Sequence, residues 1–446
     1  MPHSRAGQAS GGGHVALVAL SGFRAREAEM LELGMTLPGL HDRAQALAAL
    51  PSLGVLTLAG MTPPGWTVSY RDPARVDDAL VASLVAERPT IVGVSALTAS
   101  IEEAYSFCDS LRREGVRTVI GGLHATACPD EAARHADAVV IGDGESTWHD
   151  VLADAAAGDL RRVYRPSQAF DLARAPLPRF VLLGDRERPR FTVQTARGCP
   201  LACDFCGASR LLGPYREKPV ERIEAELDAV RAMRRRPIVE LADDNSFLSR
   251  RSAPDLLGVL ERSGVRYFTE SDWRIGERPE VLERLAASGC VQVLVGMESF
   301  APGYAGMGAK AAPRQRVMDA AARIQEAGVA VIGCFIVGGD GEDHESIQAL
   351  IDFAIDAPLA DVQLTLRTPF PGTALHRRLA SQGRLLPDRG WSAYTLFDTT
   401  FVPDRLSVEQ LDQGFHHAVR CVFAEGPAAR RAAIRHEIWE RRCRMT

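Results

Sequence analysis

The chain has 446 residues, 46% hydrophobic and 24% charged, with 52 Lys and Arg against 57 Asp and Glu for a formal net charge of −5. That length suits two domains, each able to bury its own core, and the balance is that of an ordinary globular protein. It excludes a basic nucleic-acid footprint, a membrane-spanning run and a disulfide scaffold, since nine cysteines are few and odd in number for so long a chain.

Residues 1–13 are polar and glycine-rich without the apolar core of an export signal, and are expected to be a disordered lead-in. The expected compartment is therefore the cytoplasm, where clustered cysteines point to metal binding or catalysis. Residues 14–158 alternate strand and helix signals. The candidate strands are HVALVAL, TVSY, TIVGVSA, RTVIGG and DAVVIG, with helical patterns between them. Such alternation predicts an α/β fold with a doubly wound, Rossmann-like parallel sheet, which binds ligands at the carboxyl ends of its strands. Those ends carry Ser95, Thr98, Gly121, Gly122, His124, Thr126 and the run from Gly142 to Glu145.

Residues 159–190 hold Pro166, Pro176, Pro178 and Pro189 with little periodicity, and read as a linker. A second block follows over 191–379. It opens on the strand FTVQT and repeats strand and helix through six steps, predicting a partial (β/α)6 barrel. Residues 380–446 are expected to form a short, mostly helical tail that covers the open side or the bottom of that barrel.

Directly after FTVQT the chain reads A-R-G-C-P-L-A-C-D-F-C-G, placing Cys199, Cys203 and Cys206 in a Cys-x3-Cys-x2-Cys spacing at the end of a barrel strand. A [4Fe–4S] cluster usually takes four cysteines, so three leave one iron open to chelate a small molecule. The competing reading is structural zinc, which prefers four closed ligands in paired knuckles, and no nearby fourth ligand has that spacing.

These residues resemble the radical S-adenosylmethionine (radical SAM) superfamily, and the resemblance covers roughly 191–379. It implies that the three cysteines hold a [4Fe–4S] cluster and that Phe205 lies near the adenine of S-adenosylmethionine. By position, Asp243 and Asp244 stand where the family meets the methionyl amino group. Glu298, or alternatively Glu270, stands for the ribose carboxylate. Ile336 and Gly338 match the fifth-strand adenine contact, and Leu366, Arg367 and Thr368 complete the pocket. Each residue also has a plainer reading: a helix cap for Asp243, Asp244 and Asn245, a surface charge for Glu298, core for Ile336, turns for the glycines. The implied chemistry is one-electron cleavage of S-adenosylmethionine to a 5′-deoxyadenosyl radical, which takes a hydrogen atom from an unactivated carbon; the protein supplies position and a dry cavity.

The first block resembles the cobalamin-binding domain of one radical SAM subgroup, through V-S-A-L-T, G-G-L-H-A-T and G-D-G-E. The resemblance implies that Ser95, Thr98, Gly121, Gly122 and Thr126 surround a corrin tail. The Asp-x-His-x-x-Gly motif is absent, Gly39-Leu40-His41-Asp42 does not match it, and His124 reads as a loop residue rather than a metal ligand. The domain can also persist as a platform without cofactor. Compact length and a short tail resemble aminoglycoside diol dehydratases, so the specific expectation is radical dehydration of a small-molecule natural product. The alternative is cobalamin-dependent C-methylation, using one S-adenosylmethionine for the methyl group and another for the radical. Methylthio transfer would bring further N-terminal cysteines, whereas here only Cys108 and Cys128 occur; a carrier without turnover would need no open iron. The expected partners are a small-molecule substrate and an electron donor of the flavodoxin or ferredoxin kind or a dedicated reductase. Tyr215, Asn245, Trp273 and Arg367 are candidates to line the substrate cavity; the catalytic acid or base is not legible.

Overall fold

The computed structural model describes residues 12–20, 50–184, 190–201, 203–207, 211–299, 306 and 310–445. They fall into two compact units. Among the described residues, one comprises 12–20, Ser52–Phe170 and Ala175–Gly184; the other comprises 50–51, Asp171–Arg174 and the chain from Arg190 onward. The Gly39–Asp42 run and most of the lead-in lie outside the described residues.

The first unit is a six-stranded parallel sheet of β1 (His14–Leu20), β2 (Thr67–Arg71), β3 (Ile91–Ala96), β4 (Thr118–Gly121), β5 (Ala138–Val140) and β6 (Val163–Tyr164), in the order β2-β1-β3-β4-β5-β6. Val15 to Leu20 are all buried, as a strand covered on both faces requires. The helices between the strands are α1 (Leu53–Met61), α2 (Asp78–Glu87), α3 (Ile101–Arg113), α4 (Leu123–Ala127), α5 (Pro129–His135) and α6 (Trp148–Ala157). The strand order reverses between β1 and β3, the switch point at which doubly wound sheets open their ligand crevice. The expected linker over 159–190 is corrected in its first part. Val163 and Tyr164 pair with Val139 and Val140, and the buried Tyr164 donates its hydroxyl to Asp154 (2.8 Å). Two residues are too few to show a period in sequence.

The second unit holds another six-stranded parallel sheet: β7 (Phe191–Val193), β10 (Ile238–Leu241), β11 (Arg266–Ser271), β12 (Cys290–Glu298), β13 (Ala330–Val337) and β14 (Asp361–Leu366), in straight order from β7 to β14. Helices α7 (Val220–Met233), α8 (Ala253–Ser263), α9 (Pro279–Leu285), α10 (Arg314–Glu326), α11 (His344–Asp356) and α12 (Ala374–Ser381) follow the strands in turn. The two edge strands do not pair with each other, so the barrel is partial, as expected. A separate antiparallel ribbon, β8 (Ala196–Arg197) with β9 (Arg216–Glu217), closes the base of the cysteine loop. Beneath it the buried Lys218 meets the buried Glu226 of α7 at 2.5 Å.

The tail forms α13 (Val408–Val422) and α14 (Glu425–Met445). Arg431 and Arg435 approach Asp361, the first residue of β14, at 3.6 Å each. Arg442 bonds the carbonyls of Ala286 and Cys290. α14 thus crosses the amino ends of β12 and β14, while Leu396 and Asp404, earlier in the tail, bond the backbone at the end of β14 and just past β13.

Candidate active site

The cysteine loop leaves the first barrel strand at a left-handed glycine. Gly198 has φ +79°, and a Cβ there would come within 2.9 Å of the Gly213 carbonyl oxygen, so no side chain fits. Cys203 is buried, and Cys199 and Cys206 are half-buried. Burial pushes the Cys203 thiol up to about 12, and Lys310, Glu298, Cys206 and Cys199 all lie within Coulomb reach of it. The three thiols therefore converge, and a group that would otherwise hold its proton gives it up only to a metal. That donor set fits an iron–sulfur cluster with one iron left open. Asn245, buried at the end of β10, donates its amide to Cys199 Sγ (3.8 Å) and accepts from the Asp272 amide (3.0 Å). Asn245 thus lies beside the first cysteine of the loop.

The pair Asp243 and Asp244 divides. Asp243 is fully buried, and its carboxylate accepts from the amides of Thr195 (2.7 Å) and Ala196 (2.9 Å), from Ser246 Oγ (3.0 Å) and from the Thr195 hydroxyl. Four donors from its own fold occupy it, so its expected place at the methionyl amino group is corrected: it anchors the strand that leads into the cysteine loop. Asp244 is half-buried and accepts from the Gly198 amide (3.2 Å); burial, and then the neighbouring Asp243 charge, raise its pKa to about 6. Of the two, Asp244 is the carboxylate beside the loop that can meet a ligand.

The two ribose candidates also part. Glu298 is buried at the end of β12 with φ +59°, a strained conformation for a side-chain-bearing residue. Its Oε1 is 2.9 Å from Lys310 Nζ. Burial alone would lower the Lys310 pKa, but the Glu298 charge more than reverses this and it is raised. Glu270 is exposed, between the buried Thr269 and Ser271, and its register partner is Leu294. Glu270 shares its side of the strand with the buried Phe268, so its exposure reflects its place at the open carboxyl end. Nothing in the sequence marked Lys310, twelve residues beyond Glu298. Trp273 donates its indole N–H to the Lys310 carbonyl (3.1 Å) and is buried.

At the last two strands Ile336 and Leu366 are buried and Ile336 pairs with Thr365. Gly338, at φ +96°, donates its amide to Glu342 (2.6 Å). Thr368 turns its hydroxyl back to the Leu366 carbonyl (3.1 Å), and Arg367 is wholly buried, reaching Asp204 of the cysteine loop. Phe205 is half-buried in the loop turn. Tyr215 donates to Glu217 (2.8 Å) at the ribbon that closes the loop.

In the first unit Ser95 and Gly121 are register partners, and both are half-buried with Gly122 and Thr126. Thr126 Oγ1 accepts from the Gly142 amide (2.9 Å), joining the ends of β4 and β5. Gly122 has φ +103°, and a Cβ there would press on Ser95 Oγ at 3.2 Å. These four residues form an accessible edge beside the switch point, which suits a large ligand. Thr98 does not belong to that edge: it is buried, with its hydroxyl 3.3 Å from His124 Nδ1. His124 is not a loop residue but part of α4, and it is almost completely buried.

Comparison with known proteins accounts for both units. The Radical SAM superfamily matches residues 193–354 and the B12 binding domain matches residues 42–152. The bacteriochlorophyllide d C-12(1)-methyltransferase of Chlorobaculum tepidum is 27% identical over 342 residues, 75% of this chain and 74% of its own. The hopanoid C-2 methylase of Rhodopseudomonas palustris is 27% identical over 363 residues, 76% of this chain and 66% of its own. The solved structure of the radical S-adenosylmethionine methyltransferase TsrM from Kitasatospora setae, with cobalamin and a [4Fe–4S] cluster bound, shares the fold. Its TM-score is 0.66, over 92% of this chain and 88% of that one, at 17% identity.

Proposed function

We propose that this chain, a member of the radical SAM superfamily with an N-terminal B12-binding domain, is a cobalamin-dependent methyltransferase acting on an unactivated carbon of a small molecule. The observation that carries the reading is the union of two sites in one chain: an open three-cysteine loop at a barrel mouth, and an accessible strand-end edge at the switch point of a B12-binding domain. The methylases at 27% identity support methylation over the radical dehydration favoured on sequence.

When bound, the cluster supplies the electron that cleaves S-adenosylmethionine, and cobalamin supplies a carrier for the methyl group. The chain's own residues bind and orient. Cys199, Cys203 and Cys206 hold the cluster, and Asn245 bonds the first thiol. Asp244 is an acceptor for the methionyl ammonium group. Glu298, paired with Lys310, is an acceptor for ribose hydroxyls. Phe205, Ile336 and Leu366 offer apolar surface to the adenine. Ser95, Gly121, Gly122 and Thr126 would face the corrin tail, and His124 is buried behind that edge.

The overall reaction balances. One substrate C–H and two S-adenosylmethionines, with two electrons from the donor, give one methylated product, one S-adenosylhomocysteine, one methionine and one 5′-deoxyadenosine. The test is anaerobic reconstitution with iron, sulfide and cobalamin, followed by incubation with methyl-labelled S-adenosylmethionine, a reductant and a panel of candidate substrates. Labelled product with equal amounts of S-adenosylhomocysteine and 5′-deoxyadenosine is expected. Formation of 5′-deoxyadenosine together with a dehydrated product, by protein that takes up no cobalamin, would overturn the reading.

A further inference from the structure

We infer that His124, Cys128 and Glu131 form a second metal site, in the first unit, for a divalent cation of the zinc class. It uses none of the residues of the cysteine loop or of the corrin edge. The three residues follow the Gly121-Gly122 turn in the run H-A-T-A-C-P-D-E. His124 and Cys128 lie one helical turn apart across α4, where the Cys128 amide bonds the His124 carbonyl (2.8 Å). Pro129 then starts α5, and Glu131 comes round three residues after Cys128. The ligand atoms of all three lie within 4.8 Å of one another.

His124 Nε2 and Glu131 Oε1 are 3.9 Å apart, too far for a hydrogen bond. Nor is the pair a salt bridge of two charges, because burial pushes the His124 pKa down to about 4 and leaves the ring neutral at pH 7. A neutral imidazole beside a carboxylate at this spacing accepts a cation between them. Zinc bond lengths imply ligand–ligand edges of about 3.3–3.8 Å, so the set is roughly 1 Å wider than a filled tetrahedron, within reach of small side-chain rotations. The other ring nitrogen faces the Thr98 hydroxyl at 3.3 Å, the outer-shell contact that fixes which nitrogen presents its lone pair. Tyr105 walls the site. Its ring meets the His124 ring edge-on at 6.2 Å, and its hydroxyl lies against the Glu131 carboxylate.

One nitrogen, one sulfur and one oxygen match a borderline cation such as Zn2+. Calcium and magnesium take oxygen ligands, and an iron–sulfur cluster takes thiolates. Burial and the Glu131 charge hold the Cys128 thiol protonated, up to about 11, so each metal bound releases one proton. Three protein ligands leave a fourth position to water. The metal would staple α4 to α5 immediately behind the Gly121-Gly122 turn.

The test uses the full chain carrying Cys199→Ala, Cys203→Ala and Cys206→Ala, so that the cluster thiols cannot take up metal, titrated with Co2+ as a spectroscopic stand-in for Zn2+. One Co2+ per chain with a thiolate-to-cobalt charge-transfer band is expected, displaced by Zn2+. Adding Cys128→Ser should abolish the band and weaken binding at least tenfold. Cys421, whose sulfur is 3.6 Å from His417 Nε2 on α13, offers a second imidazole–thiol pair, and Cys421→Ser should leave the band intact. No band at one equivalent, a band that survives Cys128→Ser, or a band lost with Cys421→Ser would each overturn the site. If the Cys128→Ser chain does not fold, X-ray absorption of the zinc-loaded parent decides: one sulfur among nitrogen and oxygen ligands supports the site, and none or several refutes it.

Discussion

Asp204, the residue between Cys203 and Phe205, accepts a hydrogen bond from the wholly buried guanidinium of Arg367 at the end of β14 (3.2 Å). Arg378 of α12 reaches the same carboxylate at 2.9 Å. Both arginines also meet Asp340, at 3.2 and 2.6 Å, and Arg384 joins them there at 3.2 Å. The Asp204 carbonyl takes the Leu375 amide (2.9 Å). The cysteine loop is thus tied by charge and by backbone to the last strand of the barrel and the helix after it, two elements remote in sequence.

Removing the Asp204 charge tests that tie. Asp204→Asn removes one of the two carboxylates that Arg367 and Arg378 share, and charge-assisted hydrogen bonds of this kind contribute about 1.5–3 kcal/mol. The expected result is a lower melting temperature and faster loss of the reconstituted cluster to a chelator, with Asp204→Glu recovering part of both. A bleaching rate equal to that of the unaltered chain would show that the network does not hold the loop.

The Glu298–Lys310 pair makes a second prediction. Both side chains are largely buried, at 7% and 17% exposure. Lys310→Met strands the carboxylate, which costs about 3–5 kcal/mol when a buried pair loses one partner. Adding Glu298→Gln removes the stranded charge, so the double variant should be more stable than Lys310→Met alone. Denaturant melts of the four chains in the cycle measure the coupling; additive effects would contradict the pairing.

What could be read from the sequence follows from range. Runs such as HVALVAL and TIVGVSA declare buried parallel strands locally, and the cysteine spacing declares its site within eight residues. Contacts that close only in three dimensions were illegible. Lys310 is called to Glu298 across a barrel mouth, and Arg367 to Asp204 across 163 residues of chain. Direction was illegible too. Asp243 and Asp244 are adjacent letters, yet the first faces Thr195 and the second faces Gly198. Glu270 and Glu298 both end strands, yet the first is exposed and the second is buried in a left-handed turn.

That division between the two aspartates is itself testable. Asp243→Asn turns an amide N–H2 toward donors and should cost about 2–3 kcal/mol of stability. Asp244→Asn should spare the melt and weaken S-adenosylmethionine binding instead. Because the Asp244 pKa is raised to about 6, its proton must leave before it can pair with an ammonium group. Binding to the unaltered chain should therefore strengthen as pH rises from 5 to 7, and calorimetric titration of Asp244→Asn should show that dependence gone. Equal loss of stability in both variants would contradict the assignment.

The buried imidazole of the first unit sets a pH limit of its own. His124 has its pKa lowered by burial to about 4, against about 6.5 when unfolded. Below 6.5 the unfolded chain gains a proton that the folded chain refuses, so stability falls as pH drops from 6.5 toward 4 and is unaffected above 6.5. A shift of about 2.5 units corresponds to roughly 3 kcal/mol across that window. His124→Gln has no proton to gain and should lower stability at pH 7 while flattening the decline between pH 6.5 and 4. Denaturant midpoints of metal-free protein at several pH values in that range measure it. His376 in the second unit is also lowered by burial and leaves a residual slope in both chains, so the difference between them isolates His124. An unchanged slope in the variant would mean that this ring takes up its proton in the folded chain.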